Sequence, residues 1–326
     1  MKIINTLLLS SLLLTGLIAK DTNSTKTIKK APIATKIIES DISIFTSDNK
    51  DGKITTKTIE EAFKKAGFFI SANRDMNTPF TKQFKDSSFI TYNLFTFYKK
   101  DVVLELAKKY DNVGLFAPMS MSIYTKKGSN TISIASLTSK TMQKIMNISK
   151  EEKLLTDLRA LIVKTLKTAM PNGKFETTTN TAQKAQSKLV TQYTMEMDKE
   201  DWDDELEEFK MGFEGELVTN GFVLAGENNL GDEFEEKDYE GYDFYEVYSI
   251  CKLPVIYTIA KTHPEAGAFA PCSLYLNKKK DNLNMNIAFP SVYNWISSMG
   301  LKDKKDIEVL EDAQKRINKI LKGLTE

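Results

Sequence analysis

The chain repeats itself, and this internal similarity constrains its fold more than any other feature. Residues 114–120 read GLFAPMS and residues 267–273 read GAFAPCS, an offset of 153 residues. The similarity continues at nearly the same offset, because FITYNLFTFYKKDVVLELAKKY from Phe89 aligns with YDFYEVYSICKLPVIYTIAKTH from Tyr242. Self-similarity at a fixed period indicates a structural unit that occurs more than once. The sequence therefore predicts two diverged copies of one domain.

The repeat also predicts how the 326 residues are divided. A Pro-Asn-Gly turn at residues 171–173 opens a stretch with almost no apolar residues, as is typical of a linker. A chain of this length suits two domains of ordinary size. The predicted segments are a signal peptide (1–19), a polar tail (20–31), a first α+β repeat (32–170), a linker (171–187) and a second α+β repeat (188–326).

Within each copy, hydrophobic periodicity and turn residues predict the order βαββαββα. Strand-like runs rich in β-branched residues open both copies, and apolar residues at helical spacing follow them. Thr58 and Glu61 are predicted to form a capping box, and Gly67 and Gly221 are predicted to end the first helix of each copy. We expect an α+β fold in which helices pack on one face of a mostly antiparallel sheet.

The first 19 residues have the pattern of a secretory signal peptide. Lys2 precedes an apolar run from Ile3 to Ile18, and the small residue Ala19 closes it. The run is shorter than the roughly 20 residues that span a bilayer, although an uncleaved anchor is the alternative. No later run is long enough, so no membrane span is expected in the mature chain. The predicted location is the periplasm or the extracellular space.

The net charge of +1 conceals an uneven distribution of charged residues. Residues 196–246 carry 3 basic and 20 acidic side chains, whereas the first copy is basic. Basic pairs such as Lys99 and Lys100 are scattered, and export places the chain away from nucleic acid. Nucleic acid is therefore not an expected partner. The predicted partner is an unknown small molecule or a protein of the cell envelope.

Several residues of the second copy form a recognisable set. Phe222 follows a glycine, Cys251 ends a tyrosine-rich strand, Pro254 opens the next helix, and HPEAGAFAPCSLYL begins at His263. This set resembles the domain of unknown function 302 family, whose members pair a cysteine before the short helix with a Pro-Cys at the start of the next strand. The resemblance implies the α+β fold and leaves the activity open.

The first copy departs from the family pattern at both cysteines. Tyr98 stands in place of Cys251, and Met119 stands in place of Cys272. Chemistry that needs two thiols is therefore restricted to the second copy. A disulfide is predicted between these cysteines, the only two in the chain, because export favours bridges; two buried thiols are the alternative. The bridge needs residues 263–270 to return the chain and start an antiparallel strand beside Cys251.

The single histidine limits the chemistry that the chain can perform. His263 is the only residue available to a Ser/His/Asp triad, and with the two cysteines it would supply at most three nitrogen and sulfur ligands to a metal. We expect a noncatalytic binding or structural module, with thiol-redox or sulfur-handling chemistry at the cysteines as the alternative and haem or metal binding as a further one. No cofactor is identified. The predicted functional surroundings are Pro254, His263 and Pro271.

Overall fold

A computed structural model describes residues 40–176 and 182–326. The predicted signal peptide, the polar tail, residues 32–39 of the first repeat and the middle of the linker lie outside this range. The described residues belong to one compact unit. None of their helices combines the length and apolar character needed to cross a membrane. Residues 40–176 are called the first half below, and residues 182–326 the second half.

The first half begins with a strand and ends with a long helix and a short strand. Its elements, in chain order, are β1 (Ile42–Asp48), α1 (Thr56–Lys65), β2 (Phe69–Asp75), α2 (Asn77–Phe84), β3 (Phe89–Tyr98), α3 (Lys100–Ala107), a 3₁₀ segment (Val113–Phe116), β4 (Met119–Lys126), β5 (Thr131–Leu137), α4 (Ser139–Ile145), α5 (Lys153–Ala169) and β6 (Lys174–Phe175).

The second half has the same element order without the final short strand. Its elements are β7 (Val190–Glu196), α6 (Trp202–Thr219), β8 (Val223–Asn229), α7 (Leu230–Glu235), β9 (Tyr242–Cys251), α8 (Leu253–Ala260), a 3₁₀ segment (Pro264–Ala268), β10 (Cys272–Lys279), β11 (Asn284–Pro290), α9 (Tyr293–Met299) and α10 (Lys304–Thr325).

Each half contains one antiparallel sheet, and the two sheets have matching strand orders. The first sheet runs β2-β3-β4-β5-β1-β6, and the second runs β8-β9-β10-β11-β7. All the strand pairs are antiparallel. The α+β class and the antiparallel sheet are therefore confirmed. A helix of six to eight residues gives only a weak periodic signal, so the short helices α3 and α8 were predicted but α2, α4, α7 and α9 were not.

The first helix of each half ends as predicted but begins differently. Gly67 and Gly221 follow α1 and α6 with φ of +83° and +74°, the left-handed conformation that glycine adopts without a Cβ clash. The predicted capping box of Thr58 and Glu61 is wrong. Helix α1 begins one residue after Thr55, whose Oγ1 accepts a hydrogen bond of 3.1 Å from the Thr58 amide, while Thr58 Oγ1 accepts from the Thr55 amide.

Helices cover one face of each sheet. Phe63 of α1 packs edge-on against Phe95 and Phe97 of β3, with ring centroids 5.4 and 4.9 Å apart. In the second half, α10 contacts α6 and α8, and Phe213 of α6 meets Tyr248 of β9 edge-on. Burial of these aromatic rings forms the core between helices and sheet.

The other face of each sheet meets the opposite half. Successive side chains of a strand alternate between its faces, so Tyr92 and Leu94 of β3 point away from the helices that cover Phe95 and Phe97. The 3₁₀ segment of the second half packs there, on β4 and β5. The 3₁₀ segment of the first half packs in turn on β10 and β11. Each half thus packs its 3₁₀ segment against the sheet of the other half.

Candidate functional site: a cavity between the halves

Two buried tyrosines tie the halves together at equivalent positions. Tyr92 donates a hydrogen bond of 3.0 Å to the Pro264 carbonyl, and Tyr245 donates one of 2.7 Å to the Asp111 carbonyl. Tyr92 and Tyr245 are 153 residues apart, and so are Asp111 and Pro264, so the two hydrogen bonds occupy equivalent positions of the repeat. Each tyrosine is fully buried, and burial raises the pKa of both hydroxyls well above the ordinary value. Both tyrosines therefore remain neutral donors across the physiological pH range.

Two serines make a second reciprocal pair of contacts. Ser120 donates a hydrogen bond of 3.1 Å to the Pro271 carbonyl, and Ser273 donates one of 2.9 Å to the Pro118 carbonyl. The peptide bonds before Pro118 and Pro271 are both cis. These four residues belong to the repeated GxFAPxS sequence, so this motif forms part of the contact between the halves.

A cavity of about 460 Å³ lies beside this contact and is lined from both halves. The first half contributes residues of β2, β3 and α2, including Ser71, Ala72 and Thr96. The second half contributes residues of β8 and β9 and the start of α8. Most of the lining is apolar, and the volume falls in the range of about 300 to 1,000 Å³ that is usual for small-molecule sites.

A β-bulge on each edge strand shapes the cavity wall. Ile70 pairs with Phe97 and Ala72 with Thr96, which leaves Ser71 as the extra residue of β2. The register of β8 shifts in the same way, which leaves Ala225 as the extra residue there. Both extra residues line the cavity. Because a bulge bends its strand and redirects side chains, it turns these two residues toward the cavity.

One hydroxyl inside the cavity has no partner. Ser249 of β9 is 3% exposed, and its Oγ makes no hydrogen bond among the described residues. Thr96 occupies the equivalent position in the first half and also lines the cavity. A buried hydroxyl without a partner costs free energy, on the order of 1 to 3 kcal/mol, and a bound polar group would remove that cost.

Charged groups lie at the margin of the cavity. The side chain of Arg74 is exposed and makes no hydrogen bond or ion pair with any other described residue. Burial, and next the nearby Glu246 carboxylate, raise the pKa of Glu227 above its ordinary value. Lys210 lies 4.0 Å from Glu227 and opposes this shift. The cavity lining thus includes one guanidinium, that of Arg74, as well as carboxyl groups.

The two cysteines are free thiols in this structure. As the disulfide prediction required, β10 runs antiparallel to β9, but Cys272 pairs with Ile250 and not with Cys251. Since side chains alternate, the register directs Cys272 toward the helices and Cys251 toward the other half. The shift of one residue disfavours a bridge, because the two Cβ atoms of a disulfide lie only about 3.5 to 4.5 Å apart. Burial raises the pKa of both thiols to about 12.

The other predicted residues lie on two sides of the second half. Pro271 lines the cavity, as does Cys251. Pro254 is the second residue of α8, one position later than predicted. His263 precedes the second 3₁₀ segment, and its Nδ1 lies 3.1 Å from Glu265 Oε1, outside the cavity lining. The structure therefore does not bring His263 together with the cysteines into one site.

Metal ligands are not clustered in the part of the chain that the structure describes. No group of three or more His, Cys, Asp or Glu side chains there is arranged to hold a metal ion. Trp295 Nε1 and both cysteines lie near a second, smaller apolar pocket of about 60 Å³ between the second sheet and its helices. Its volume corresponds to a packing gap of the core, too small for a cofactor.

The fold is that of an α+β protein with two antiparallel sheets in contact. Residues 200–324 match the family model described as domain of unknown function DUF302, which confirms the resemblance of the second half. Membership of the first half in that family stays a prediction. A similar solved structure is that of the uncharacterized conserved protein DUF302 from Bacillus stearothermophilus, with 16% identity and a TM-score of 0.36, covering 43% of this chain and 100% of that one. No curated protein matches the sequence.

The sequence pointed to Pro271, which lines the cavity, but did not predict the cavity itself. Ser249 and Thr96 are ordinary strand residues, and nothing in their neighbours predicts a missing hydrogen-bond partner. The bulges at Ser71 and Ala225 also leave no signature in the periodicity. The one available signal was the shared GxFAPxS motif, whose prolines and serines mark the surface beside the cavity.

Proposed function

We propose that this protein is a noncatalytic binding protein that takes a small, largely apolar molecule into the cavity between its halves. The observation that carries the proposal is the buried Ser249 hydroxyl, which has no hydrogen-bond partner in the described part of the chain and lines a cavity of about 460 Å³. The preferred ligand has an apolar body and one polar group that hydrogen-bonds to Ser249. The location of the protein in the cell envelope is proposed from the predicted signal peptide alone.

Binding without catalysis follows from the groups that the cavity presents. A serine nucleophile needs an adjacent general base, and Ser249 has no hydrogen-bond partner among the described residues. The only histidine, His263, pairs with Glu265 away from the lining. The remaining polar groups, Thr96 among them, suit recognition of a ligand.

The thiol-redox alternative receives no support from the cysteine environment. Reactive cysteines are thiolates at neutral pH, held in exposed and electropositive surroundings. Cys251 and Cys272 are instead partly buried, and desolvation raises the pKa of both thiols to about 12. The haem or metal alternative likewise has no ligand cluster to rest on among the described residues.

The proposal is tested with the fluorescent probe 8-anilinonaphthalene-1-sulfonate. Its aromatic rings suit the apolar lining, and its sulfonate suits the free Arg74 guanidinium. We expect saturable binding of one probe per chain. The variant Gly226→Leu should bind it at least about tenfold more weakly, because Gly226 shares its face of the sheet with Ser249 and a leucine there fills the cavity.

The matched control is the same substitution on a helix outside the cavity. A Cβ on Gly226 would lie 4.0 Å from Ser249 Cβ, an ordinary contact, so the variant should fold. A Cβ on Gly215 of α6 would meet nothing within 4 Å, so Gly215→Leu should bind the probe like the wild type. Equal affinity of Gly226→Leu and wild type, or no saturable binding by wild type, would contradict the proposal.

A further inference from the structure

The central contacts between the halves are reciprocal. Tyr92 and Tyr245 each donate a hydrogen bond to a backbone carbonyl of the opposite half, and so do Ser120 and Ser273. In an interface related by two-fold symmetry, a contact from residue i to residue j is accompanied by one from j to i. The two halves meet in this manner although they belong to one chain.

The glycines of the repeated motif also make reciprocal contacts. A Cβ on Gly114 would lie 2.6 Å from Tyr275 Cβ, and a Cβ on Gly267 would lie 2.5 Å from Ser122 Cβ. Both glycines sit in the 3₁₀ segments that cross to the other half, and Ser122 and Tyr275 are themselves equivalent positions. Each segment thus approaches the opposite sheet at a distance that only glycine permits.

From this reciprocity we infer that the chain is a fused dimer. The GxFAPxS segment of each half recognises the sheet of the other, and this recognition holds the halves together without help from the linker. The partner that fits the surface is a second domain of the same fold presenting the same segment. This association does not require the proposed ligand, because the contacts that carry it join residues of the chain itself.

Contacts at the rim of the interface add to this recognition. Phe84 of the first half stacks on Tyr257 of the second with ring centroids 3.8 Å apart. Glu233 accepts a hydrogen bond of 2.8 Å from Tyr98 and pairs with Lys100 at 2.7 Å. The half-exposed ion pair contributes little by itself, whereas the stacked rings remove apolar surface from water.

The experiment cuts the linker of the folded, full-length chain. A recognition site for a specific protease is inserted within residues 177–181, the purified protein is cleaved, and its mass is measured by light scattering on a sizing column at micromolar concentration. We expect the cleaved protein to elute with the mass of the uncleaved chain. Separation of the wild-type halves under these conditions would overturn the inference.

Variants of the GxFAPxS segments then test whether these segments hold the cleaved halves together. Gly267→Leu, cleaved in the same way, should separate into halves, whereas cleaved Gly215→Leu should remain paired. The milder pair Ser120→Ala and Ser273→Ala removes two cross-contact hydrogen bonds and should weaken association by about fivefold per bond. If the serine variants and Gly267→Leu all pair as tightly as wild type, the motif does not hold the halves together.

Discussion

Cys251 and Cys272 show how a shift of one residue in the pairing of two strands changes the environment of a side chain. Both cysteines stand at the facing ends of β9 and β10, where spacing along the sequence favoured a bridge. The antiparallel pairing was predictable from the length of residues 263–270, but the register was not, since it depends on where the return segment joins the sheet. Pairing of Cys272 with Ile250 directs the two sulfurs to different faces.

Thiol labelling distinguishes the two states of these cysteines. Iodoacetamide reacts with thiolate, and at pH 8 a thiol with a pKa of about 12 is almost entirely protonated. We expect slow labelling of the native protein, and two labels per chain after denaturation without reductant, measured by intact mass. The control Cys272→Ser should take one label. Denatured wild type that takes labels only after reduction would establish the disulfide instead.

At the scale of elements, long periodic segments were predictable, whereas of the short helices only α3 and α8 were predicted. Helices α5 and α10, with 17 and 22 residues, present a clear apolar stripe. Helix α7 has six residues between two strands and was missed, although Asn229 before it is a favourable N-cap. Its position depends on tertiary contacts, because Phe234 packs against Tyr245 of β9 with ring centroids 5.8 Å apart.

The cap of α7 provides a test at this scale. Asn229 Oδ1 accepts a hydrogen bond of 3.2 Å from the Asp232 amide. Asn229→Ala should lower the free energy of unfolding by about 1 kcal/mol, because an amide of the first turn loses its partner. Asn229→Ser, which retains a capping oxygen, should stay close to wild type. Urea unfolding measures both variants, and equal losses would show that the cap does not stabilise α7.

For the whole molecule, the repeat predicted two domains, while the structure shows how closely they are joined. The described residues form one compact unit, and buried residues of both halves belong to one core cluster. The cavity exists only where the halves meet, since Thr96 and Ser249 line it from opposite sides. A sequence repeat reveals that two units are alike, but it carries no information on which faces they present to each other.

This shared core predicts that the halves unfold together. Leu166 of α5 is fully buried in the first half, so Leu166→Ala should lower the free energy of unfolding by about 2 to 5 kcal/mol. Both tryptophans of the chain, Trp202 and Trp295, lie in the second half and report on it alone. We expect tryptophan fluorescence and far-ultraviolet circular dichroism to shift to the same lower urea midpoint.

The control for this prediction is Leu283→Ala, a change of the same type at a side chain that is 42% exposed, which should move neither midpoint appreciably. Independent halves would behave differently under Leu166→Ala. The circular dichroism transition would split into two steps, and the tryptophan midpoint would stay at its wild-type value. Because reciprocal contacts bury Tyr92 and Tyr245 completely, loss of the first half exposes the sheet of the second, and the two signals should therefore remain coincident.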